Sequence, residues 1–140
     1  MKRMQIAAEA GDALAQFNLG IMYDQGMDDN HHPRLSDRAN ALHWFLSAAK
    51  QGLPRAQLKL AQAYVAEEEP IDRRVEAGAW FLRAAQGSQG AQQFEAEKGF
   101  KRVASEMSDD EIESSRALAE TLRAGETYQP PEPARRGRRR

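Results

Sequence analysis

Three stretches of the sequence hold residue types that could do chemistry. The first is "DQGMDDNHHPR", where Asp24, Asp28, Asp29, His31 and His32 offer carboxylate oxygens and imidazole nitrogens, the donors that hold a divalent cation. Their order argues against a preformed site. Adjacent histidines lack the i, i+4 spacing that sets two ligands on one helix face, and the stretch lacks the Gly and Glu positions of an EF-hand. No metal is expected, and the stretch reads as an inserted surface loop whose role would be contact with a partner. The second is the terminal "ARRGRRR", in which Arg135, Arg136, Arg138, Arg139 and Arg140 could gather around phosphates of nucleic acid or lipid headgroups with salt-sensitive affinity. The same residues could equally balance the charge of the acidic remainder. The third is an aromatic run, "HWFLSAAKQG" at 43–52, echoed as "AWFLRAAQGS" at 79–88, which could wall a pocket or fill a core. Elsewhere there is no nucleophile beside a base, no Gly-rich phosphate loop and no His with a carboxylate to orient it. No catalytic residue and no cofactor is therefore expected.

The elements that would position these residues follow from composition and period. With 140 residues, 41% hydrophobic and 29% charged, the chain suits one domain with one core. It has no cysteine, which removes disulfides, thiol nucleophiles and Cys-ligated zinc. The apolar runs are far shorter than the roughly 20 residues that cross a bilayer, and "MKRMQIAAEAG" has no apolar signal segment. A cytoplasmic protein is expected, exported only if a signal peptide lies upstream. The net charge of -1 conceals a division: outside the last seven residues there are 15 basic and 21 acidic groups. The preceding "ETYQPPEP" is Pro-rich and has no helical period, so residues 126–140 are expected to form a disordered tail.

Internal repetition dominates the rest. "GDALAQFNLGIMY" from Gly11 aligns without a gap on "GLPRAQLKLAQAY" from Gly52, sharing Gly, Ala-Gln, Leu and Tyr at an offset of 41. A weaker copy begins at Gly87, with Ala91 and Gln92 in the Ala-Gln places. Ala41, Trp44, Ala48 and Ala49 return as Ala77, Trp80, Ala84 and Ala85 at an offset of 36.

Each copy reads as a helix pair. The first helix runs from Asp12, a candidate N-cap, to Gln25, with Ala15, Leu19, Met22 and Tyr23 as its apolar stripe. The second runs from Asp37 to Gln51, with Ser36 as candidate N-cap and Gly52 suited to the left-handed position that ends a helix. Its apolar residues cover most of its circumference, as a helix packed between its partner and the next repeat requires. Trp44 and Trp80, at matched places, read as core rather than ligand contacts. The third copy is eroded, with Glu95 in the place of Leu19 and Leu60. In "SDDEIESSRALAETLRAG", Ser108 and Glu111 have capping-box spacing, and Ile112, Ala119 and Leu122 mark one face of a terminal capping helix.

"AEAGDALAQFNLGIMYDQG", "DRANALHWFLSAAKQG", "PRAQLKLAQAY" and "DRRVEAGAWFLRAAQ" together resemble the Sel-one-like repeat family, a relative of the tetratricopeptide repeat. The resemblance implies an all-α fold, a right-handed α-solenoid of antiparallel helix pairs with a C-terminal capping helix. The array would occupy 1–125, with units at about 11–51, 52–86 and 87–125 and with 1–10 closing a partial unit. It also implies a non-enzymatic adaptor that holds a partner protein or peptide on its concave face or in an interhelical groove. Some members are exported or linked to β-lactam or peptidoglycan chemistry, which makes a hydrolase-like activity the minor alternative. The most accessible part of such a groove is usually the first helix of each pair. Its outer positions, Asn18, Gln25, Lys59 and Gln62, are thus the expected partner contacts. Apolar ends on a short array raise self-association, and nucleic acid enters only through the arginine tail.

Overall fold

A computed structural model of the chain describes residues 2–26, 37–66 and 73–123. Among these residues there are seven helices and no strand: α1 (Lys2–Glu9), α2 (Ala13–Gln25), α3 (Arg38–Lys50), α4 (Pro54–Ala66), α5 (Arg74–Gln86), α6 (Gly90–Ala104) and α7 (Asp109–Arg123). They group into two compact units, Met1–Leu60 and Ala61–Arg140, with the division inside α4.

In the first unit, α2 starts where the Asp12 carboxylate accepts from the Ala15 N–H at 3.0 Å. It stops at Gly26, whose φ of 75° only glycine adopts without strain. Asp37 caps α3, accepting from the Asn40 N–H at 3.0 Å, while Ser36 lies outside the described residues. The left-handed turn expected at Gly52 is present, with φ of 94°. The N–H of Gly52 bonds Ala49 O at 2.9 Å, satisfying a last-turn carbonyl before Pro54 opens α4. α2 packs on both α1 and α3. Ala8, Leu19, Ala41, Phe45, Ala48, Ala49, Ala56 and Leu60 are buried here. A Cβ on Gly20 would stand 2.7 Å from the Phe45 ring, so α2 and α3 approach this closely only because residue 20 has no side chain.

In the second unit, α5 lies against both α6 and α7. Trp80 and Phe81 are almost wholly buried. Gly99 on α6 admits the Phe81 ring, since a Cβ there would overlap it. Gly78 on α5 admits Ser115 of α7, whose hydroxyl donates to the Val75 carbonyl at 2.8 Å and is fully buried. The capping box that starts α7 is formed on both sides: the Glu111 N–H bonds the Ser108 hydroxyl at 3.2 Å, and the Ser108 N–H bonds the Glu111 carboxylate at 2.9 Å. Arg74 ties this turn to α5 by donating to the Glu106 carbonyl at 2.5 Å.

Contrary to what their spacing suggested, the two matched tryptophans are not both core. Trp44 is only partly buried and its ring meets His43 edge-on at 4.7 Å, whereas its counterpart Trp80 is 1% exposed. The ring that both copies bury is the phenylalanine beside it, Phe45 and Phe81.

Candidate interaction surface

The Ala-Gln motif has a structural task that spacing alone did not reveal. Gln16 is buried and its amide donates to the Ala8 carbonyl at 3.0 Å; Gln57, its counterpart, is buried and donates to the Ala49 carbonyl at 3.2 Å. In these two copies the glutamine thus adds a second bond to a carbonyl near the end of the preceding helix, which also accepts from the N–H of Gly11 or Gly52. Gln51 extends the first of these bonds into a chain, donating to the Gln16 amide oxygen at 3.0 Å and to the Gly11 carbonyl at 2.9 Å. The third copy has lost the bond, since Gln92 reaches only the Ser88 hydroxyl, at 2.7 Å. A glutamine recurring among alanines was the available signal, because a buried amide must find a partner.

The repeated residues are therefore consumed in holding helices together. No family model and no curated protein matches the chain. Among solved structures, it resembles the crystal structure of a protective antigen of uropathogenic Escherichia coli strains displaying an SLR fold, with TM-score 0.73 and 24% identity over 87% of this chain. The chain has an SLR fold. It spans 24% of that antigen's length, so the likeness concerns a helical repeat array and not the antigen as a whole. SLR denotes the Sel-one-like repeat, an all-α helical repeat of the α-solenoid class, and the seven helices fit it.

On α2 and α4 the side away from the packed residues is largely exposed. Asn18 and Gln25 lie two turns apart on one side of α2, both exposed and away from Gln16 and Gly20. Lys59, half-buried, and Gln62, exposed, lie one turn apart on α4. Asn18 and Lys59 hold equivalent places in their copies, each seven residues after the glycine that opens the copy. The third copy places Phe94 there, and its side chain is 64% exposed.

Of the residues considered for metal, Asp24 is exposed near the end of α2, and Asp28, Asp29, His31 and His32 lie outside the described residues. Among the described residues no group of three His, Cys, Asp or Glu could hold a metal ion. Arg135, Arg136, Arg138, Arg139 and Arg140 also lie outside them. No described helix is long and apolar enough to cross a membrane.

Proposed function

We propose that the chain is a non-enzymatic protein-interaction module, an adaptor that binds a partner protein or peptide through the outer positions of the first helix in each pair. The observation that carries this reading is a division of labour within α2 and α4. Gln16, Leu19, Gln57 and Leu60 are buried in packing and carbonyl bonding, while Asn18, Gln25 and Gln62 are exposed and polar. The SLR fold of the neighbour supports protein binding in general, because repeat arrays present extended surfaces rather than a closed active site. The placement of the contacts rests on fold analogy and on this exposure.

The test is affinity capture by the full chain followed by mass spectrometry, comparing it with the double variant Asn18→Glu, Lys59→Glu. Exposed and half-buried sites of this kind tolerate such changes with stability shifts within about 0.5 kcal/mol, so the fold should persist by circular dichroism. A protein captured by the parent and lost with the variant supports the assignment. Equal capture by both removes it from these positions.

A further inference from the structure

One place in the repeat carries opposite chemistry in its two copies. By the offset of 36 that matches α5 to α3, Arg73 stands where Asp37 does. In the first copy the Asp37 carboxylate caps α3, accepting from the Asn40 N–H at 3.0 Å and from the Asn40 side-chain amide at 2.6 Å. In the second, Arg73 is the N-cap residue of α5 and makes no side-chain capping bond. A guanidinium has only donors, so it cannot do what the carboxylate does. The Glu76 N–H, equivalent to that of Asn40, is left without a carboxylate acceptor among the described residues.

Arg73 is also buried. It is 9% exposed, yet no carboxylate among the described residues pairs with it. Its Nε is sealed from solvent without a hydrogen-bond partner, whereas its terminal nitrogens are not sealed in this way and form the edge that a ligand can reach. The guanidinium carbon lies 4.8 Å from the centroid of the buried Tyr64 ring. That stacking fixes the plane of the fork but supplies no acceptor for its N–H groups. An arginine this buried is normally paired, because an uncompensated charge inside a protein costs stability. Its neighbours leave it so. Arg74 is already engaged by the Glu106 carbonyl and lies 3.9 Å from the Glu111 carboxylate. Glu76, half-buried one turn along α5, makes no ion pair with Arg73; its charge opposes an anion there and weakens the site without filling it.

Resting on the reading of an interaction module, we infer that Arg73 and the first turn of α5 receive one carboxylate of a partner peptide, an Asp or Glu side chain. The carboxylate accepts from the outer guanidinium nitrogens and enters the place that Asp37 fills from within the chain in the first copy. The occupant is argued from the repeat itself: a carboxylate is what this position holds when the chain supplies it. The second copy withholds the acid and offers a fork that grips one. Two parallel N–H donors on a plane held by Tyr64 suit a carboxylate, and the positive end of α5 adds to the attraction.

The test is a nuclear magnetic resonance titration of the full nitrogen-15-labelled chain with the peptide acetyl-Gly-Gly-Glu-Gly-Gly-amide, whose only charge is the carboxylate. The resonances followed are the Arg73 Nε–H and the Glu76 N–H. Both should shift saturably with a Kd of about 1–10 mM, the strength of a single charge-assisted contact, and the glutamine counterpart of the peptide should shift neither. Arg73→Gln should weaken the Glu76 response at least about tenfold, with Arg73→Lys, which keeps the charge and loses the fork, falling between. Arg73→Asp restores the cap of the first copy, so it should abolish binding while raising the thermal midpoint by about 2–4 °C. The inference is overturned by no saturable shift up to about 50 mM peptide, by equal shifts with the glutamine peptide, or by an unchanged response in Arg73→Gln. It is also overturned if inorganic phosphate binds at Arg73 more tightly than the peptide, or if Arg73→Asp lowers the midpoint. A shift of the Arg73 Nε–H in the free chain when Glu67, Glu68, Glu69 and Asp72 are neutralised together would mean that the chain's own carboxylates fill the site, and would overturn it too. A captured protein that is lost with Asn18→Glu, Lys59→Glu but kept by Arg73→Gln leaves the interaction module standing and overturns the Arg73 site alone.

Discussion

α3 and α5 carry one motif in two settings. In both, Ala41 or Ala77, Phe45 or Phe81, and Ala48 or Ala84 are buried, and both phenylalanine rings lie on a glycine of a neighbouring helix. The glycine comes from opposite directions along the chain: Gly20 on the preceding α2 serves Phe45, and Gly99 on the following α6 serves Phe81. The tryptophan diverges more. Trp80 is almost wholly buried, whereas Trp44 is partly exposed beside an exposed His43. In α5, Ala79 replaces that histidine and is itself fully buried. Leu42 becomes Gly78, which opens the notch that Ser115 of α7 fills. What repeats is thus a ring that needs a gap, and each unit makes the gap with whichever helix lies against it.

The comparison can be broken most directly at the tryptophans. Trp80→Ala should cost about 3–5 kcal/mol of unfolding free energy in denaturant titration, the range for emptying a filled core site, and Trp44→Ala less than half as much. Equal losses would mean that the two settings are not different. Next come the glycines. Gly99→Ala and Gly20→Ala should each destabilise by about 1–2 kcal/mol, because overpacking outweighs the roughly 1 kcal/mol that alanine contributes to a helix. Gly99 should cost more, since its Cβ would overlap the Phe81 ring more deeply than a Cβ on Gly20 overlaps Phe45. A stabilising alanine at either place would show that the rings move freely. The smallest difference lies in the Ala-Gln motif. Gln57→Ala should cost about 1 kcal/mol through its lost bond to the Ala49 carbonyl, and Gln92→Ala should stay within about 0.5 kcal/mol, since its amide reaches only Ser88. Similar values for the two would remove the distinction between an intact and an eroded copy.

Much of the fold was legible because each signal was local. Asp12, Gly52, Pro54 and the Ser108–Glu111 pair mark helix ends through bonds that span at most a few residues, and all act as their types suggest. The offsets of 41 and 36 then matched helices to one another without any tertiary information. What escaped was set by the neighbours. A tryptophan at a matched place says nothing about what covers it, so Trp44 read as core when only Phe45 beside it is. Ser115 reads as a polar residue on an amphipathic helix, and its burial depends on a missing side chain 37 positions away, at Gly78. The outer positions were legible as a class by elimination, from the period of α2 and α4. The exposed ring was not, because an aromatic in an eroded repeat looks like core until Ala96, Gly99 and Val103 are seen to occupy the inner side of α6.

The central claim is that the repeated aromatic motif builds the array while the outer positions of the first helices meet the partner. Site-specific photo-crosslinking of the full chain tests it most directly, with benzoylphenylalanine placed in turn at Asn18, Gln25, Gln62 and Phe94, and at the exposed positions Asn40 and Lys50 of α3 for comparison. The account predicts adducts with one and the same protein from the first group and none from α3. Adducts from Asn40 and Lys50 alone, or equally from both groups, would contradict it.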